Sequence, residues 1–204
     1  MIRNSDSWAL LQRLSPTYMK PDDIKPHVLS KIKDTIRYSL EQDPNQNRED
    51  VARRCRTALM AEQIVAEAVH GFLPTGRENH DNPWSWVYDV VGKDGVRIEV
   101  KTHQRNSQYI TVNTGMSGDY PAKSPGINLG HFLGRNLADL IIIFDTKQDA
   151  TGAILFTPKF LAGRDAFAKD SGLVIKSQFN DGWYLSSRPY DMEEFNFHQF
   201  TQQI

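Results

Sequence analysis

Residues 88–104 read YDVVGKDGVRIEVKTHQ, two apolar runs on either side of a short polar turn. The pattern predicts a β-hairpin with strands at 84–91 and 96–103. A three-residue loop with glycine in the left-handed position is a common hairpin connection, and the letters KDG fit it. This loop makes Gly92 the partner of Val96, whereas a two-residue Asp-Gly turn would shift the register by one position.

Charged residues lie inside both predicted strands. With the three-residue loop, Asp89 faces Glu99 directly, and Lys101 projects from the same face two residues later. Facing carboxylates repel each other unless one is protonated or a cation lies between them. Mg²⁺ is a hard cation that prefers carboxylate and water oxygens, so the hairpin is a candidate metal site. The alternative is a solvated sheet face that carries ordinary surface charges.

A helix is predicted at 49–70, preceded by a shorter helical pattern at 28–40. Glu62 falls near the middle of the apolar stripe of the longer helix, while Gln63 and Glu67 fall outside the stripe. A carboxylate on a buried face is unfavourable unless it is paired or binds a cation. It therefore forms a salt bridge, for instance with an arginine of the amino-terminal segment, or it joins Asp89 and Glu99. The stripe comprises Val51, Cys55, Ala58, Leu59, Val65, Ala66 and Val69.

The remaining sequence predicts a mixed α/β domain with a sheet covered on at least one face. The segment LADLIIIFD, residues 137–145, is typical of a buried central strand. The Gly-, Pro- and Ser-rich stretch 114–128 is predicted to be a long loop. The other predicted elements are strands at 108–113, 152–157, 172–176 and 182–187, and helices at 129–137 and 158–169.

Composition narrows the class of protein. The chain has 204 residues, of which 39% are hydrophobic and 24% are charged, and this composition is typical of a soluble globular protein. Its net charge of -1 neither requires nor excludes a polyanionic partner. Cys55 is the single cysteine, so an internal disulfide and a thiolate zinc site are excluded. We recognise no signal peptide, membrane span or nucleotide-binding glycine motif. These features favour a cytoplasmic protein without a nucleotide cofactor.

The pattern of Asp89, nine intervening residues and then Glu99-Val100-Lys101 resembles the PD-(D/E)XK nuclease superfamily. The resemblance includes the upstream helix with Glu62, the helix that follows, and the strand of LADLIIIFD. It covers roughly residues 49–146 and implies a restriction-endonuclease-like core of order α-β-β-β-α-β. Residues 1–48 would then be a helical extension packed on the core, and residues 147–204 a carboxyl-terminal α/β extension of the same domain. One departure is Tyr88, which stands where many members have a proline.

The resemblance also implies roles for individual residues. Asp89 and Glu99 would bind Mg²⁺, for which Mn²⁺ can substitute, beside the carbonyl of Val100. Glu62 would be a direct or water-mediated ligand of the cation. Lys101 would orient the attacking water or help to deprotonate it, and would offset charge on the scissile phosphate.

Several polar residues are candidate substrate contacts. His131 and Arg135 are four residues apart on the predicted short helix and so share a face. A basic wall along this face would bind a phosphate backbone, although an ordinary solvated surface explains each residue taken singly. The other candidates are His103, Gln104, Arg105 and Lys123.

These features and the resemblance together predict a Mg²⁺-dependent endonuclease that cuts double-stranded DNA. The resemblance implies that the products carry 5′-phosphate and 3′-hydroxyl ends. A homodimer is expected, because paired cuts on antiparallel strands require two sites related by a two-fold axis. A restriction, phage or homing enzyme and a junction resolvase all fit this class. A DNA-binding module of the same fold without catalysis, or an enzyme acting on RNA, is the alternative.

Overall fold

The computed structural model describes residues 2–74, 88–103, 110–113, 126–129, 132, 138–167, 174–176 and 183–185. Within them, short 3-10 turns at Ile2–Asn4, Pro21–Asp23 and Arg164–Phe167 accompany the regular elements. The helices are α1 (Asp6–Gln12), α2 (Pro26–Gln42) and α3 (Arg48–Ala68). The strands are β1 (Thr17–Met19), β2 (Val90–Val91), β3 (Arg97–His103), β4 (Ile110–Asn113), β5 (Ile127–Asn128), β6 (Leu140–Gln148), β7 (Ile154–Gly163), β8 (Val174–Lys176) and β9 (Trp183–Leu185).

The described strands form two mixed sheets. The larger has the order β1-β7-β6-β3-β2, and the smaller has the order β5-β4-β9-β8. In the larger sheet β3 and β6 are parallel, and the other neighbours are antiparallel. The α/β class predicted from the sequence is therefore confirmed, and β6 is the central strand that LADLIIIFD predicted.

The apolar run of β6 is continuous because both faces of the larger sheet are covered. Leu140, Ile142 and Phe144 pack with the helices in one hydrophobic cluster. Ile141 and Ile143 point the other way and pack with β4, β7 and β9 in a second cluster. All five side chains are fully buried.

The predicted hairpin register is confirmed. Val90 pairs with Ile98, and the backbone N–H of Gly92 donates to the carbonyl of Val96 at 2.8 Å. Gly95 has φ +80°, the left-handed conformation that the three-residue loop requires. Asp94, in the same turn, accepts hydrogen bonds from Ser7 of α1, which ties the turn to the amino-terminal segment.

Helix α3 confirms the helix predicted at 49–70. The side chain of Asn47 caps it by accepting from the backbone N–H groups of Glu49 and Asp50. Gln63, which the apolar stripe placed outside the buried face, is only 2% exposed. Its amide donates to the carbonyl of Asp23 and accepts from the backbone N–H of Lys25. The second half of α3 is buried on more than one side because the amino-terminal segment covers the face that the sheet leaves open.

The prediction of a helix at 158–169 is wrong. Strand β7 continues to Gly163, and only a short 3-10 turn follows it in the described residues. Pairing with β6 along nearly the whole strand outweighs the helical spacing of the apolar residues. Pro158 is accommodated at the register irregularity between Ile143 and Phe144.

The amino-terminal segment contains the helix predicted at 28–40, which is α2, and also a strand that was not predicted. This strand, β1, pairs antiparallel with β7 at the edge of the larger sheet. The predicted loop 114–128 ends in β5, and its residues 114–125 lie outside the described residues. Of the helix predicted at 129–137, the structure describes only Leu129 and Phe132.

Candidate active site

A cleft of about 710 Å³ lies beside the edge of β3 that does not pair with β6. It forms because β2 is only two residues long, and in the described residues it pairs with β3 only at Arg97 and Ile98. The rest of β3, from Glu99 onward, has β6 on one side and the cleft on the other. The cleft is lined by Glu62, Asp89, Val100, Lys101 and His103, by Arg54 of α3, and by residues of β4 and β5.

Asp89 lies where the pairing of β2 with β3 ends. Its backbone N–H donates to the carbonyl of Ile98 at 3.0 Å, and its carboxylate Oδ2 accepts from the backbone N–H of Val100 at 2.7 Å. The side chain thus replaces the ladder bond that a longer β2 would make. The N–H and C=O groups of one strand residue point to the same edge, so the Val100 carbonyl faces the same side as the Asp89 carboxylate.

Glu99 is buried, with 4% of its surface exposed. Burial and the nearby charge of Asp89 raise the pKa of Glu99 to about 7, against the opposing effect of Lys101. The ammonium of Lys101 donates a short hydrogen bond to Oε1 of Glu99. Glu99 and Lys101 project from the same face of β3, as the hairpin pattern predicted.

Glu62 reaches the cleft from α3 and is 6% exposed. Burial raises its pKa to about 8, and the charge of Asp89 is the second cause; Lys31 and Lys101 oppose the rise. The Nζ atom of Lys31 in α2 lies 2.7 Å from Oε2 of Glu62. The salt bridge with the amino-terminal segment, which was one of the two alternatives for this residue, is therefore present, and the same side chain also lines the cleft. The partner is a lysine, where an arginine was the example.

Lys101 is the cation that interacts electrostatically with all three carboxylates. Burial lowers its pKa, but Asp89, Glu99 and Glu62 more than offset this, so the pKa lies above its usual value. The side chain keeps 29% of its surface exposed and lines the cleft. It is therefore an ammonium at neutral pH that can reach a bound anion.

The donor set suits a hard cation. Among the described residues, no three His, Cys, Asp or Glu side chains group into a metal cluster, and lysines pair with the carboxylates of Glu62 and Glu99. Mg²⁺ does not require such a cluster, because it retains several waters and binds one or two carboxylates. Asp89 and the Val100 carbonyl share one edge of the cleft. The charge of Asp89 raises the pKa of both glutamates, and a cation would relieve that repulsion.

Of the predicted substrate contacts, the structure describes His103, which lines the cleft and is 6% exposed. Its Nδ1 lies 2.7 Å from Oδ1 of Asp145, and Nζ of Lys159 lies 2.8 Å from Oδ2 of the same carboxylate. The other candidates, Gln104, Arg105, Lys123, His131 and Arg135, lie outside the described residues.

Sequence reasoning missed Asp145, Lys159, Lys31 and Arg54. The signal for Asp145 was present, because it is the acidic residue that ends the apolar run of β6. Lys159 carried no usable signal, since its segment was predicted to be helical. Lys31 looked like an ordinary polar residue of an amphipathic helix.

Comparison with known proteins identifies the family to which the chain belongs. Residues 1–187 match the family described as Bacteriophage T4 endonuclease IV. The chain belongs to this family. A relative from Enterobacteria phage T4, named Endonuclease IV, is 46% identical over 182 residues, which cover 86% of this chain and 96% of the relative. No solved structure matches the chain.

Membership of the endonuclease IV family decides between an endonuclease and a DNA-binding module without catalysis. The chain is an enzyme, an endonuclease, and not a binding module without catalysis. The match also spans residues 1–48 and 147–187, for which the PD-(D/E)XK resemblance offered no counterpart. Among the described helices, none is both long and apolar enough to cross a lipid bilayer.

Proposed function

We propose that this member of the endonuclease IV family is a Mg²⁺-dependent DNA endonuclease of the PD-(D/E)XK type. The observation that carries the proposal is the position of Asp89 at the open edge of β3. There its charge acts on two buried glutamates, and Lys101 lines the same cleft. Membership of an endonuclease family supports phosphodiester hydrolysis as the reaction.

Asp89, Glu99 and the carbonyl of Val100 would hold the cation, with Glu62 binding directly or through water. When bound, the cation supplies positive charge to the phosphate and lowers the pKa of a bound water. The hydrogen bond from the Val100 backbone to Asp89 keeps that carboxylate at the edge of the cleft.

Lys101 acts on the substrate as an ammonium. Although burial lowers it, the charges of Asp89, Glu99 and Glu62 raise the pKa of Lys101 in the metal-free protein, so the side chain is an ammonium that can donate hydrogen bonds at neutral pH. It orients the attacking water by donating to it, and it offsets the charge that develops on the scissile phosphate. Glu99 keeps the ammonium in place through the direct hydrogen bond between them.

The remaining details of the reaction stay predictions from the sequence. The expected substrate is double-stranded DNA, cut to leave 5′-phosphate ends by a homodimer. A junction resolvase is the alternative within the same chemistry, and RNA is the alternative substrate. The substrate form is tested by offering single-stranded DNA, duplex DNA, a four-way junction and RNA of one sequence to the same preparation, and the dimer is tested by sedimentation.

Cleavage of a long DNA is measured with Mg²⁺ and with EDTA for wild type, Asp89→Asn and Lys101→Met. Glu67→Gln is the matched control, since this residue lies on α3 but its side chain is exposed and pairs with Lys25. We expect Mg²⁺-dependent cleavage by wild type and by the control, and loss of cleavage in the other two proteins. Equal cleavage by all four proteins, or undiminished cleavage in EDTA, would refute the proposal.

A further inference from the structure

A second polar cluster lies at the end of β3, beyond the carboxylates. His103 is the last residue of β3, and Asp145 is its partner in the parallel strand β6. Paired residues project from the same face, so the imidazole meets the Asp145 carboxylate. Lys159 of β7, which is only 7% exposed, donates to the other oxygen of the same carboxylate, Oδ2.

The contacts of this cluster fix the imidazole. A carboxylate oxygen accepts hydrogen bonds, so the 2.7 Å contact between Nδ1 of His103 and Oδ1 of Asp145 requires a proton on Nδ1 and leaves Nε2 free to carry a second one. The second oxygen of Asp145 accepts from Lys159 at 2.8 Å. The ring is therefore oriented through Nδ1, and Nε2 is the atom left for another partner.

The Nε2 atom of His103 is shielded from solvent and has no hydrogen-bond partner among the described residues. Buried polar atoms are almost always paired, so an unpaired one in a residue that lines a cleft indicates a missing partner, which is a water or a ligand. His103 lines the same cleft as Lys101. Lys159 also matters here, because it offsets the charge of Asp145, which alone would repel an anion approaching the ring.

The Cα atoms of residues two apart on one face of a strand are separated by about 6.6 Å. This separation is close to that of consecutive phosphates along a nucleic acid strand. We propose that an N–H at Nε2 of His103 donates to the phosphate next to the scissile one, a contact in which both ring nitrogens carry a proton, with Asp145 and Lys159 as positioning residues for the ring. The inference rests on the proposed function, because it takes the phosphate beside Lys101 to be the one that is cut.

Two substitutions separate phosphate binding from a structural role. His103→Asn keeps a donor near the position of Nδ1 for Asp145 and removes Nε2. His103→Gln does the reverse, since its amide reaches the position of Nε2. A purely structural imidazole would be replaced better by asparagine, and a phosphate-binding imidazole by glutamine. His27→Gln, at an exposed position near the start of α2, is the matched control.

The readout uses oligonucleotides of a mapped cleavage site in which one phosphate at a time is replaced by an uncharged methylphosphonate. Binding is measured in EDTA and cleavage in Mg²⁺. For wild type we expect binding to fall about tenfold at the phosphate adjacent to the scissile one, which is the effect of losing a hydrogen bond to a charged group. His103→Asn and Asp145→Asn should lose this position-specific sensitivity, His103→Gln should recover part of it, and His27→Gln should match wild type.

Wild type without a sensitive adjacent phosphate would overturn the inference, even if every variant failed to fold. Wild-type behaviour of His103→Asn with impairment of His103→Gln would also overturn it, because the imidazole would then serve Asp145 alone. Asp89→Asn run in parallel keeps the two proposals apart. If cleavage depends on Asp89 while the adjacent phosphate does not respond to His103, only the present inference fails.

Discussion

The pH dependence of stability should change when Glu62 is replaced by glutamine. The substitution keeps the shape of a 6% exposed side chain and removes its charge. In wild type, burial and the charge of Asp89 raise the pKa of Glu62 from 4.5 to about 8. Because the folded state holds this proton more tightly than the unfolded state, the stabilising contribution is fully present below about pH 4.5 and is lost as the pH rises through about 8.

The magnitude follows from the two pKa values. Each pH unit between them corresponds to about 1.4 kcal/mol, so a rise from 4.5 to about 8 gives an upper limit of about 5 kcal/mol. The free energy of unfolding of metal-free wild type should fall by a few kcal/mol across this window. Glu99, whose pKa is raised to about 7, contributes to the decline in both proteins and so cancels in their difference. The profile of Glu62→Gln should therefore be flatter.

Urea denaturation at a series of pH values in EDTA measures the effect. The comparison uses the slope against pH, so a constant destabilisation from the loss of the Lys31 contact does not enter it. Glu67→Gln is the control, because its side chain is 47% exposed and a surface ion pair contributes little. Its profile should run parallel to that of wild type.

Parallel profiles for wild type and Glu62→Gln would refute the reasoning, since the carboxylate would then titrate alike in the folded and unfolded states. Addition of Mg²⁺ extends the test to the proposed metal site. If the cation binds beside Asp89 and Glu62, it should stabilise wild type at about pH 8 more than Glu62→Gln. Equal stabilisation of the two proteins would remove Glu62 from the proposed ligand set.

Other expectations concern catalysis, the turn and the core. Lys101→Met should lower the single-turnover rate of Mg²⁺-dependent DNA cleavage by about 10²-fold or more, because it removes the ammonium that offsets the negative charge on the scissile phosphate. An unchanged rate would exclude the role proposed for the ammonium. Gly95→Ala should destabilise the protein by about 1 kcal/mol in urea denaturation because of the φ of +80°, and Gly95→Asn should destabilise it less; no difference from wild type would mean that the turn relaxes. Ile142→Ala should lower the free energy of unfolding by about 2–5 kcal/mol because this side chain is 0% exposed, whereas Leu29→Ala, at a position 42% exposed, should change it little; similar values for the two would contradict the assignment of the core.

The sequence alone determined the local geometry of the hairpin. The KDG sequence favoured a three-residue turn with glycine at positive φ, and that turn places Asp89 opposite Glu99; a two-residue turn was the alternative, and the structure has the three-residue turn. The apolar run of β6 likewise predicted a buried central strand, and the structure shows that both of its faces are covered. These features depend on neighbours within a few residues, which is why the pattern was sufficient.

Tertiary structure decided the features that depend on distant segments. The helical spacing after residue 157 was overridden because β6 supplied a partner strand along nearly the whole of β7. Gln63 is buried because the amino-terminal segment covers it. The spacing of residues along α3 alone could not show this, because it carries no information about segments outside the helix.

The candidate site divides in the same way. Glu62, Asp89, Glu99 and the Lys101 partner of Glu99 were visible in the sequence, because Glu99 and Lys101 are two residues apart on one strand face. The Lys31 partner of Glu62 and the pair of Asp145 with Lys159 depend on distant segments, and only the packing of these elements brings the charges within hydrogen-bond distance. The sequence therefore determined which groups could do chemistry, and the tertiary structure decided which partners set their charge.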